Sequence, residues 1–407
     1  MEVNKIELVN SMSYALDFLE VGLHQNITNH NRRVTVISLN IGKKLGLSDN
    51  ELVDLYSYSM FHDNGITYKI YSNIKENGST IENLSNHCEV GEENLRLFPF
   101  IQKRENIILY HHECEDGSGF FGKKGEEIPL FSKIIHLSDM TEVWYRQTNS
   151  KRETLEYIKE NRGKTFSKKL CDILFDLGRH TAFWLSLDDV FVKEELLRLV
   201  PPNSYNMNMD NFLNVAHMLS NIIDAKSPFT FSHSEGLAEK ASAMAVFYGY
   251  DPLKHTKFVI AAYLHDIGKL VIPNEIIDKP GKLDEREFDI IKSHTFYTRK
   301  ILEGIKGLED ICEWASNHHE KLNGMGYPYG MSAESLSLEC QLMTCLDIYQ
   351  ALTEKRPYRT PATKNEVMRI FSRMINSGEI NGKLARDVLE VLARKENCSS
   401  GIMNRAG

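Results

Sequence analysis

Apolar residues recur at helical spacing along most of the chain, whereas the alternation typical of strands is sparse. In the first half, residues 34–45 form a largely apolar stretch that is broken by Gly46. Ser48 follows, with Glu51 three residues later, which is typical of a capping box at the start of a helix. The pattern therefore predicts consecutive helices in this region.

The second half shows the same kind of pattern. Residues 234–248 form a helical stretch that ends before Gly249. Asp251 and Pro252 then provide an N-cap and a proline for the first helical position. The apolar run at 258–264 is ambiguous between strand and helix, but its length and flanks favour a buried helix. The predicted fold class is all-α, with two helical bundles in tandem.

The histidines repeat their spacing in the two halves of the chain, which indicates an internal duplication. Each half contains an isolated histidine, a His-Asp pair, a second isolated histidine, a His-His pair and a final aspartate. In the first half these residues are His30, His62, Asp63, His87, His111, His112 and Asp139. In the second half they are His233, His265, Asp266, His294, His318, His319 and Asp347. The step from the first histidine to the His-Asp pair is 32 residues in both halves.

We predict that the two copies join at a proline-rich segment that interrupts helical structure. Residues 201–204 read Pro-Pro-Asn-Ser, and consecutive prolines remove amide donors and fix the backbone. We therefore expect a first domain at residues 1–198, a second domain at 205–395 and a tail at 396–407.

The composition limits the function classes. The 407 residues include 48 basic and 56 acidic side chains, and this net charge of −8 argues against a general nucleic-acid binder. The first residues lack the pattern of a secretion signal, and no window reaches the roughly 18 apolar residues of a membrane span. The seven cysteines are scattered and never spaced as Cys-x-x-Cys, which disfavours a disulfide framework or a structural zinc knot. We expect a cytoplasmic protein that binds neither a nucleic-acid polymer nor a membrane.

The matched residues of the second half are of the types that bind metal ions. Neutral imidazole is the commonest protein ligand of metal ions, and a neighbouring carboxylate adds the negative charge that holds a cation. Five imidazoles and two carboxylates are too many donors for one ion and about right for two. Because these donors are nitrogen and oxygen without thiolate, they suit iron or manganese better than a structural zinc site. Two such ions favour phosphoester hydrolysis, since they activate water and stabilise both oxygens of an in-line displacement.

Cationic and aromatic residues near these ligands are candidates for substrate binding. Lys269 lies in the turn after the His-Asp pair and could place a cation on a phosphate oxygen. Arg356 and Arg359 could hold further phosphate oxygens. The turn-rich segment 324–330 contains Tyr327, on which a nucleobase could stack.

The second half, residues 205–395, resembles the HD-GYP family of metal-dependent phosphodiesterases, a branch of the HD superfamily. The motifs that carry the resemblance are HDIGK, HHEKLNGMGYPYG, LDIYQAL and EKRPYR. The resemblance implies an all-helical domain that hydrolyses bacterial cyclic dinucleotides, above all cyclic di-GMP, to linear dinucleotide or mononucleotide. It also implies that the seven matched residues bind two divalent metal ions, with Asp266 as the bridging ligand.

The same resemblance implies roles for the neighbouring residues. Asp266 and Lys269 are expected to take part in catalysis. The residues expected to contact the substrate are Lys269, Gly326, Tyr327, Pro328, Arg356 and Arg359.

The first half resembles the HD superfamily less completely. Its ligand set is complete, but Ile66 stands at the position that matches Lys269, and residues 119–121 read Gly-Phe-Phe in place of Gly-Tyr-Pro. No Arg-Pro-Tyr-Arg motif follows Asp139. We therefore expect a second, N-terminal metal site in a degenerate domain that could sense or dock instead of cutting.

Two alternatives stay open. Within enzymes, the substrate could be 3′,3′-cyclic GMP-AMP or another nucleotide instead of cyclic di-GMP. In a different class, the protein could bind a cyclic dinucleotide or a partner protein without cleaving anything, which Lys269 disfavours for the second half and Ile66 favours for the first. A homodimer or a complex with signalling proteins is compatible with either alternative.

Overall fold

A computed structural model describes residues 2–21, 29–66, 81–201, 206–227, 233–279, 281–354 and 360–403. The chain forms two compact units. The first unit consists of residues 5–205 and is called the first lobe below. The second unit consists of residues 206–407 together with residues 1–4 and is called the second lobe.

The first lobe is built from helices that begin at the signals expected from the sequence. The Ser48 side chain accepts a hydrogen bond from the amide of Glu51, and the Glu51 carboxylate accepts one from the amide of Ser48. This reciprocal pair satisfies two amides that have no partner inside the helix. The α-helices of this lobe are Lys5–Val21, His30–Leu45, Asp49–Met60, Ile81–Leu95, Leu130–Thr148, Lys151–Glu160, Lys168–Gly178, Thr181–Leu185 and Val192–Leu199, with a 3-10 turn at Gly125–Glu127.

The second lobe has a similar succession of helices. Asp251 caps the Pro252–Leu264 helix, which contains the apolar run at 258–264 and packs it in the core. The α-helices of this lobe are Met209–Ala225, His233–Phe247, Pro252–Leu264, Asn274–Ile277, Glu285–Leu302, Glu309–Ser316, Leu338–Thr353, Lys364–Asn376 and Gly382–Met403. Its 3-10 turns are Ile267–Val271 and Ala333–Ser335.

A short antiparallel strand pair ties the start of the chain to the second lobe. Strand Glu2–Asn4 pairs with strand Asn206–Asn208, and Val3 lies opposite Met207. Both of these side chains are buried, so the pairing removes apolar surface from water. The first four residues therefore belong structurally to the lobe that begins some 200 residues later.

The prediction of an all-α fold is confirmed, because helices account for nearly all regular structure in the described ranges. Within the same ranges, no helix combines the length and the apolar composition needed to cross a membrane.

Candidate metal centre

The structure gathers all seven candidate ligands of the second lobe into one cluster. They come from the ends or the middle of five helices, so the cluster depends on the packing of the whole bundle. His233 opens one helix, His265 and Asp266 directly follow another, and His294 lies inside the Glu285–Leu302 helix. His318 and His319 follow Glu309–Ser316, and Asp347 lies inside Leu338–Thr353. All are buried except His319, whose side chain is 29% exposed.

One group of donor atoms surrounds the first histidine of the cluster. His233 Nε2 lies 3.3 Å from His265 Nε2 and 3.2 Å from Asp347 Oδ1. The distance from His265 Nε2 to Asp347 Oδ1 is 4.0 Å. Three donors at these separations could surround a single cation.

A second group lies on the other side of Asp266. The carboxylate oxygen Oδ2 of Asp266 is 3.1 Å from His265 Nε2, whereas Oδ1 is 3.4 Å from His294 Nε2 and 3.9 Å from His318 Nε2. His294 and His318 are themselves 3.4 Å apart between their Nε2 atoms, and His319 completes this group. One carboxylate thus directs an oxygen to each group, which is the arrangement expected of a ligand between two cations.

Hydrogen bonds fix the ring orientation of these histidines. The Nδ1 atoms of His265, His294 and His318 lie 2.6 to 2.8 Å from the carbonyl oxygens of Ala262, Ile291 and Ala315. A carbonyl only accepts, so each Nδ1 carries the proton and the Nε2 lone pair faces the cluster. Protein ligands of metal ions are usually oriented in this way.

His233 is oriented by a carboxylate instead of a carbonyl. Its Nδ1 lies 2.9 Å from Glu354 Oε2, and Gln350 Nε2 donates to the same oxygen at 3.1 Å. Glu354 is the first residue of the EKRPYR motif, which points to its arginines as phosphate contacts and gives no sign that its glutamate meets His233. A carboxylate behind a ligating imidazole raises its basicity and its affinity for a cation.

The surroundings favour the neutral form of three imidazoles of the cluster and the ionised form of the Asp266 carboxylate. Burial lowers the pKa of His294 to about 3 and that of His319 to about 4, and it lowers the pKa of His318 well below its usual value. Burial alone would raise the pKa of Asp266, but neighbouring His265 and Lys269 lower it well below its usual value.

His233 differs from the other imidazoles. Burial alone would lower its pKa, but its hydrogen bonds with Asp347 and Glu354 raise the pKa to about 9. In the absence of a metal ion, this imidazole therefore holds a proton that balances part of the negative charge.

The chemistry of the cluster fits bound cations. The Asp266 oxygen Oδ1 is buried and accepts no hydrogen bond from any described residue. A buried carboxylate oxygen without a donor is costly unless a cation or water satisfies it. This orphaned oxygen faces the Nε2 atoms of His294 and His318, so the residues present fit a metal ion at this position.

A glycine brings the helix of His294 close to the His-Asp pair. A side-chain carbon at Gly268 would lie 1.9 Å from the carbonyl oxygen of His294, closer than any real contact. A hydrogen bond from the amide of Gly268 to Thr298 Oγ1, 3.1 Å long, ties the same two segments together. The first lobe has the same feature, because a carbon at Gly65 would lie 2.0 Å from the carbonyl oxygen of His87.

Two of the predicted substrate residues, Lys269 and Tyr327, lie next to the cluster. Lys269 Nζ lies 2.5 Å from Asp266 Oδ2, and its side chain is 25% exposed. The Tyr327 ring packs beside His319, with 4.9 Å between ring centroids. Arg356 and Arg359 lie outside the described residues.

The turn that carries Tyr327 is held by the glutamate of the His-His-Glu run. Glu320 accepts hydrogen bonds from the amides of Tyr329 and Met331, at 2.7 and 2.9 Å. Gly326 is required within this turn, since a side-chain carbon there would lie 2.4 Å from the amide nitrogen of Lys321. Pro328 belongs to the same turn. The only sequence signal for this role is that a glutamate, Glu113 or Glu320, directly follows the His-His pair in both halves.

The first lobe repeats the arrangement of donor atoms. Asp63 Oδ2 lies 3.2 Å from His62 Nε2, and Asp63 Oδ1 lies 3.6 Å from the Nε2 atoms of both His87 and His111. His112 joins the second of these groups, and His30 Nε2 is 3.4 Å from Asp139 Oδ1. The seven matched residues of the first half are therefore also brought together.

The surroundings of the first-lobe cluster are different. His30 Nδ1 lies 2.7 Å from Glu142 Oε2, and the same carboxylate accepts a hydrogen bond from the fully buried guanidinium of Arg33. Burial would raise the pKa of Glu142, but His30 and Arg33 lower it to about 2. Ile66 occupies the position that Lys269 has in the second lobe.

The comparison with protein families accounts for the duplicated geometry. The HD domain family matches the chain twice, over residues 21–170 and 217–384, which together exceed half of its length. The chain belongs to the HD domain family. The resemblance predicted from the motifs is thereby confirmed, and the protein is a metal-dependent phosphohydrolase of this family.

Relatives that match most of the chain are known from Vibrio cholerae. The chain is 30% identical to 3'3'-cGAMP-specific phosphodiesterase 3, over 91% of either chain. It is 29% identical to 3'3'-cGAMP-specific phosphodiesterase 1, over 90% of this chain and 86% of the relative. The crystal structure of a cyclic GMP-AMP specific phosphodiesterase from the same organism matches 97% of this chain and 98% of its own, with a TM-score of 0.67 and 26% identity.

Other relatives match a smaller part of the chain. The cyclic di-GMP phosphodiesterase of Thermotoga maritima is 30% identical over 46% of this chain and 52% of its own.

Proposed function

We propose that the second lobe hydrolyses a phosphodiester bond of a cyclic dinucleotide, and that 3',3'-cyclic GMP-AMP is preferred to cyclic di-GMP. The observation that carries the hydrolytic part is the Asp266 carboxylate, which directs one oxygen to His265 and the other to His294 and His318. Such a carboxylate is suited to hold two cations at the spacing that in-line phosphoryl chemistry needs.

The seven candidate ligands are part of this proposal. His233, His265 and Asp347 would hold one divalent ion, His294, His318 and His319 would hold the other, and Asp266 would contact both. We propose iron or manganese, because the donors are nitrogen and oxygen. Bound divalent ions supply an activated water nucleophile and neutralise charge on the reacting phosphate.

The protein residues position the substrate. Lys269 is close enough to the Asp266 carboxylate to present its ammonium to a phosphate oxygen in the same space. Tyr327 offers a ring at the edge of the cluster, where a nucleobase could stack. Gly326 and Pro328 shape the turn that carries this ring, and Arg356 and Arg359 remain candidates for further phosphate contacts.

The relatives support the preference for 3',3'-cyclic GMP-AMP. The relatives named for this substrate match about nine tenths of the chain, which includes most of both of its HD domains. The Thermotoga maritima relative named for cyclic di-GMP matches less than half of the chain. The sequence motifs favour cyclic di-GMP, whereas the greater coverage by the relatives named for 3',3'-cyclic GMP-AMP supports that ring as the first candidate.

Cyclic di-GMP remains the second candidate, because the match to the Thermotoga maritima relative has the same identity of 30%. The cytoplasm, where such second messengers act, remains the proposed location. A homodimer or a signalling-protein partner also remains a proposal.

Turnover of a small substrate panel tests the proposal. Full-length protein is purified without oxygen, loaded with manganese or iron, and incubated with 3',3'-cyclic GMP-AMP, cyclic di-GMP and cyclic di-AMP. We expect linear dinucleotide from the first of these at the highest kcat/KM, and turnover lower by about a thousandfold or more in the Asp266→Asn variant. Faster cleavage of cyclic di-GMP would contradict the preference, and no cleavage of any ring by the loaded protein would contradict the function.

A further inference from the structure

The first-lobe cluster contains a cysteine that the second-lobe cluster lacks. Cys88 directly follows His87 and is fully buried. Its Sγ atom lies 3.6 Å from His87 Nε2, and it also interacts with the imidazole of His111. The thiol therefore faces the same two imidazoles that face the Asp63 carboxylate.

The spacing of these donors is that of ligands around one small cation. His87 Nε2 and His111 Nε2 are 3.4 Å apart, and each lies 3.6 Å from Asp63 Oδ1. Bonds of about 2.0–2.1 Å to nitrogen and about 2.3 Å to sulfur in a tetrahedral site place neighbouring donor atoms about 3.3–3.6 Å apart. The distance between Cys88 Sγ and His87 Nε2 falls in the same range as the other pairs.

The corresponding position of the second lobe offers no such donor. Thr295 follows His294 as Cys88 follows His87, and its hydroxyl donates to the carbonyl oxygen of Lys292 at 2.9 Å. A cysteine sulfur therefore distinguishes the first-lobe cluster from the second. Thiolate is a soft ligand that favours zinc, whereas purely nitrogen and oxygen donors suit iron and manganese.

We propose that the first lobe binds a zinc ion through the thiolate of Cys88 together with His87, His111 and the Asp63 carboxylate. The ion would serve a structural or sensing role, because this lobe has Ile66 at the position of Lys269, the proposed phosphate contact of the second lobe. The proposal does not depend on the substrate of the second lobe, so failure of either proposal leaves the other standing.

Cobalt provides a spectroscopic test of the thiolate. Metal-free, full-length protein is titrated with cobalt(II), and the near-ultraviolet charge-transfer absorption of a cobalt–thiolate bond is recorded. We expect this band in the wild type, its loss in Cys88→Ser, and its retention in Cys114→Ser. Cys114 is a matched control in the same lobe, since its thiol faces Ser118 and Thr165 instead of the cluster.

Zinc content gives an independent readout. After zinc loading and dialysis, Cys88→Ser should retain about one equivalent less per chain than the wild type or Cys114→Ser, with turnover by the second lobe unchanged. A wild-type chain without the cobalt–thiolate band, or a band that survives in Cys88→Ser, would overturn the proposal. Should Cys88→Ser fail to fold, zinc X-ray absorption on the wild type decides, because a sulfur neighbour at about 2.3 Å is required.

Discussion

In both lobes, the aspartate of the His-Asp pair directs one oxygen to its neighbouring histidine and the other to a second pair of imidazoles. The corresponding distances agree closely: His265 to Asp266 is 3.1 Å, and His62 to Asp63 is 3.2 Å. The surroundings differ, however. The second lobe places Lys269 beside the carboxylate, whereas the first lobe has Ile66 at that position and adds the thiol of Cys88.

The comparison separates two kinds of residue. Those that hold the helices and turns around the cluster in place are the same in both lobes, whereas those that would contact substrate differ. Close approach of the helices requires a glycine at Gly65 and at Gly268, because any side chain there would collide with backbone. The turn after the His-His pair is clamped by a glutamate in both lobes, since Glu113 accepts from the amides of Phe121 and Lys123 much as Glu320 does in the second lobe. The residues that would touch substrate are the ones that diverge.

The largest expected effect is a difference in turnover between the Asp266→Asn and Asp63→Asn variants. Asp266→Asn should reduce turnover of 3',3'-cyclic GMP-AMP by about a thousandfold or more, because it weakens the one ligand shared by both proposed ions. The matched variant Asp63→Asn should change turnover less than about threefold. Steady-state kinetics on the two purified variants measures both, with circular dichroism as the folding control. Equal losses in the two variants would remove the distinction between the lobes.

Exchange of the lysine and the isoleucine tests the phosphate contact. Lys269→Ile should lower kcat/KM by about a hundredfold, since one cation at the reacting phosphate is lost while the metal ligands stay in place. The metal content of this variant should equal that of the wild type. Ile66→Lys serves as the control in the first lobe and should leave turnover unchanged. An unaltered kcat/KM in Lys269→Ile would show that this lysine has no role at the substrate.

The carboxylates behind the first histidines should have smaller effects. Glu354→Gln removes the negative charge that supports His233 and should reduce metal affinity or turnover by about ten- to a hundredfold. Added manganese should restore part of the activity, because the ligands themselves remain. Glu142→Gln makes the same change beside His30, and we expect no effect on turnover from it. Loss of activity that excess metal does not relieve would assign Glu354 a different role.

The smallest expected effect concerns the pH dependence of stability. Lys226 is buried, and its Nζ donates to the carbonyl oxygen of Leu270 in the turn that carries Lys269. Burial lowers the pKa of Lys226 to about 7. Above that pH the unfolded chain still binds the proton while the folded chain does not, so this group makes the folded state more stable as pH rises.

The Lys226→Met variant measures this contribution. From about pH 7 to about pH 9, the unfolding free energy of the wild type should rise relative to the variant by at most about 1.4 kcal/mol per pH unit. Denaturant unfolding at both pH values provides the measurement. A difference between the two proteins that is independent of pH would contradict a neutral, buried Lys226.

Much of the fold and of the cluster could be predicted from sequence, because both depend on local patterns and on a repeat. The capping box at Ser48 and the helix over the run at 258–264 follow from short-range signals. The pairing of Glu2–Asn4 with Asn206–Asn208 does not, since three-residue strands carry no periodicity and their partner lies about 200 residues away.

The supporting residues of the cluster were harder to predict for a similar reason. Glu354 contacts His233 across 121 residues of chain, and spacing alone does not show which carboxylate meets which imidazole. The scattered cysteines show no Cys-x-x-Cys spacing, so the sequence gives no metal-site signal at Cys88, yet the fold places it beside His87 and His111. The candidate ligands could therefore be predicted from the repeat, whereas the residues that contact them could be identified only from the packing of the fold.

Anomalous diffraction from crystals of the manganese- or iron-loaded protein tests the central claim most directly. We predict two peaks in the second lobe about 3.5–4 Å apart, one on each side of the Asp266 carboxylate, with His233 and His265 at one and His294 and His318 at the other. A single peak, or peaks that avoid Asp266, would contradict the account of a two-metal phosphodiesterase centre.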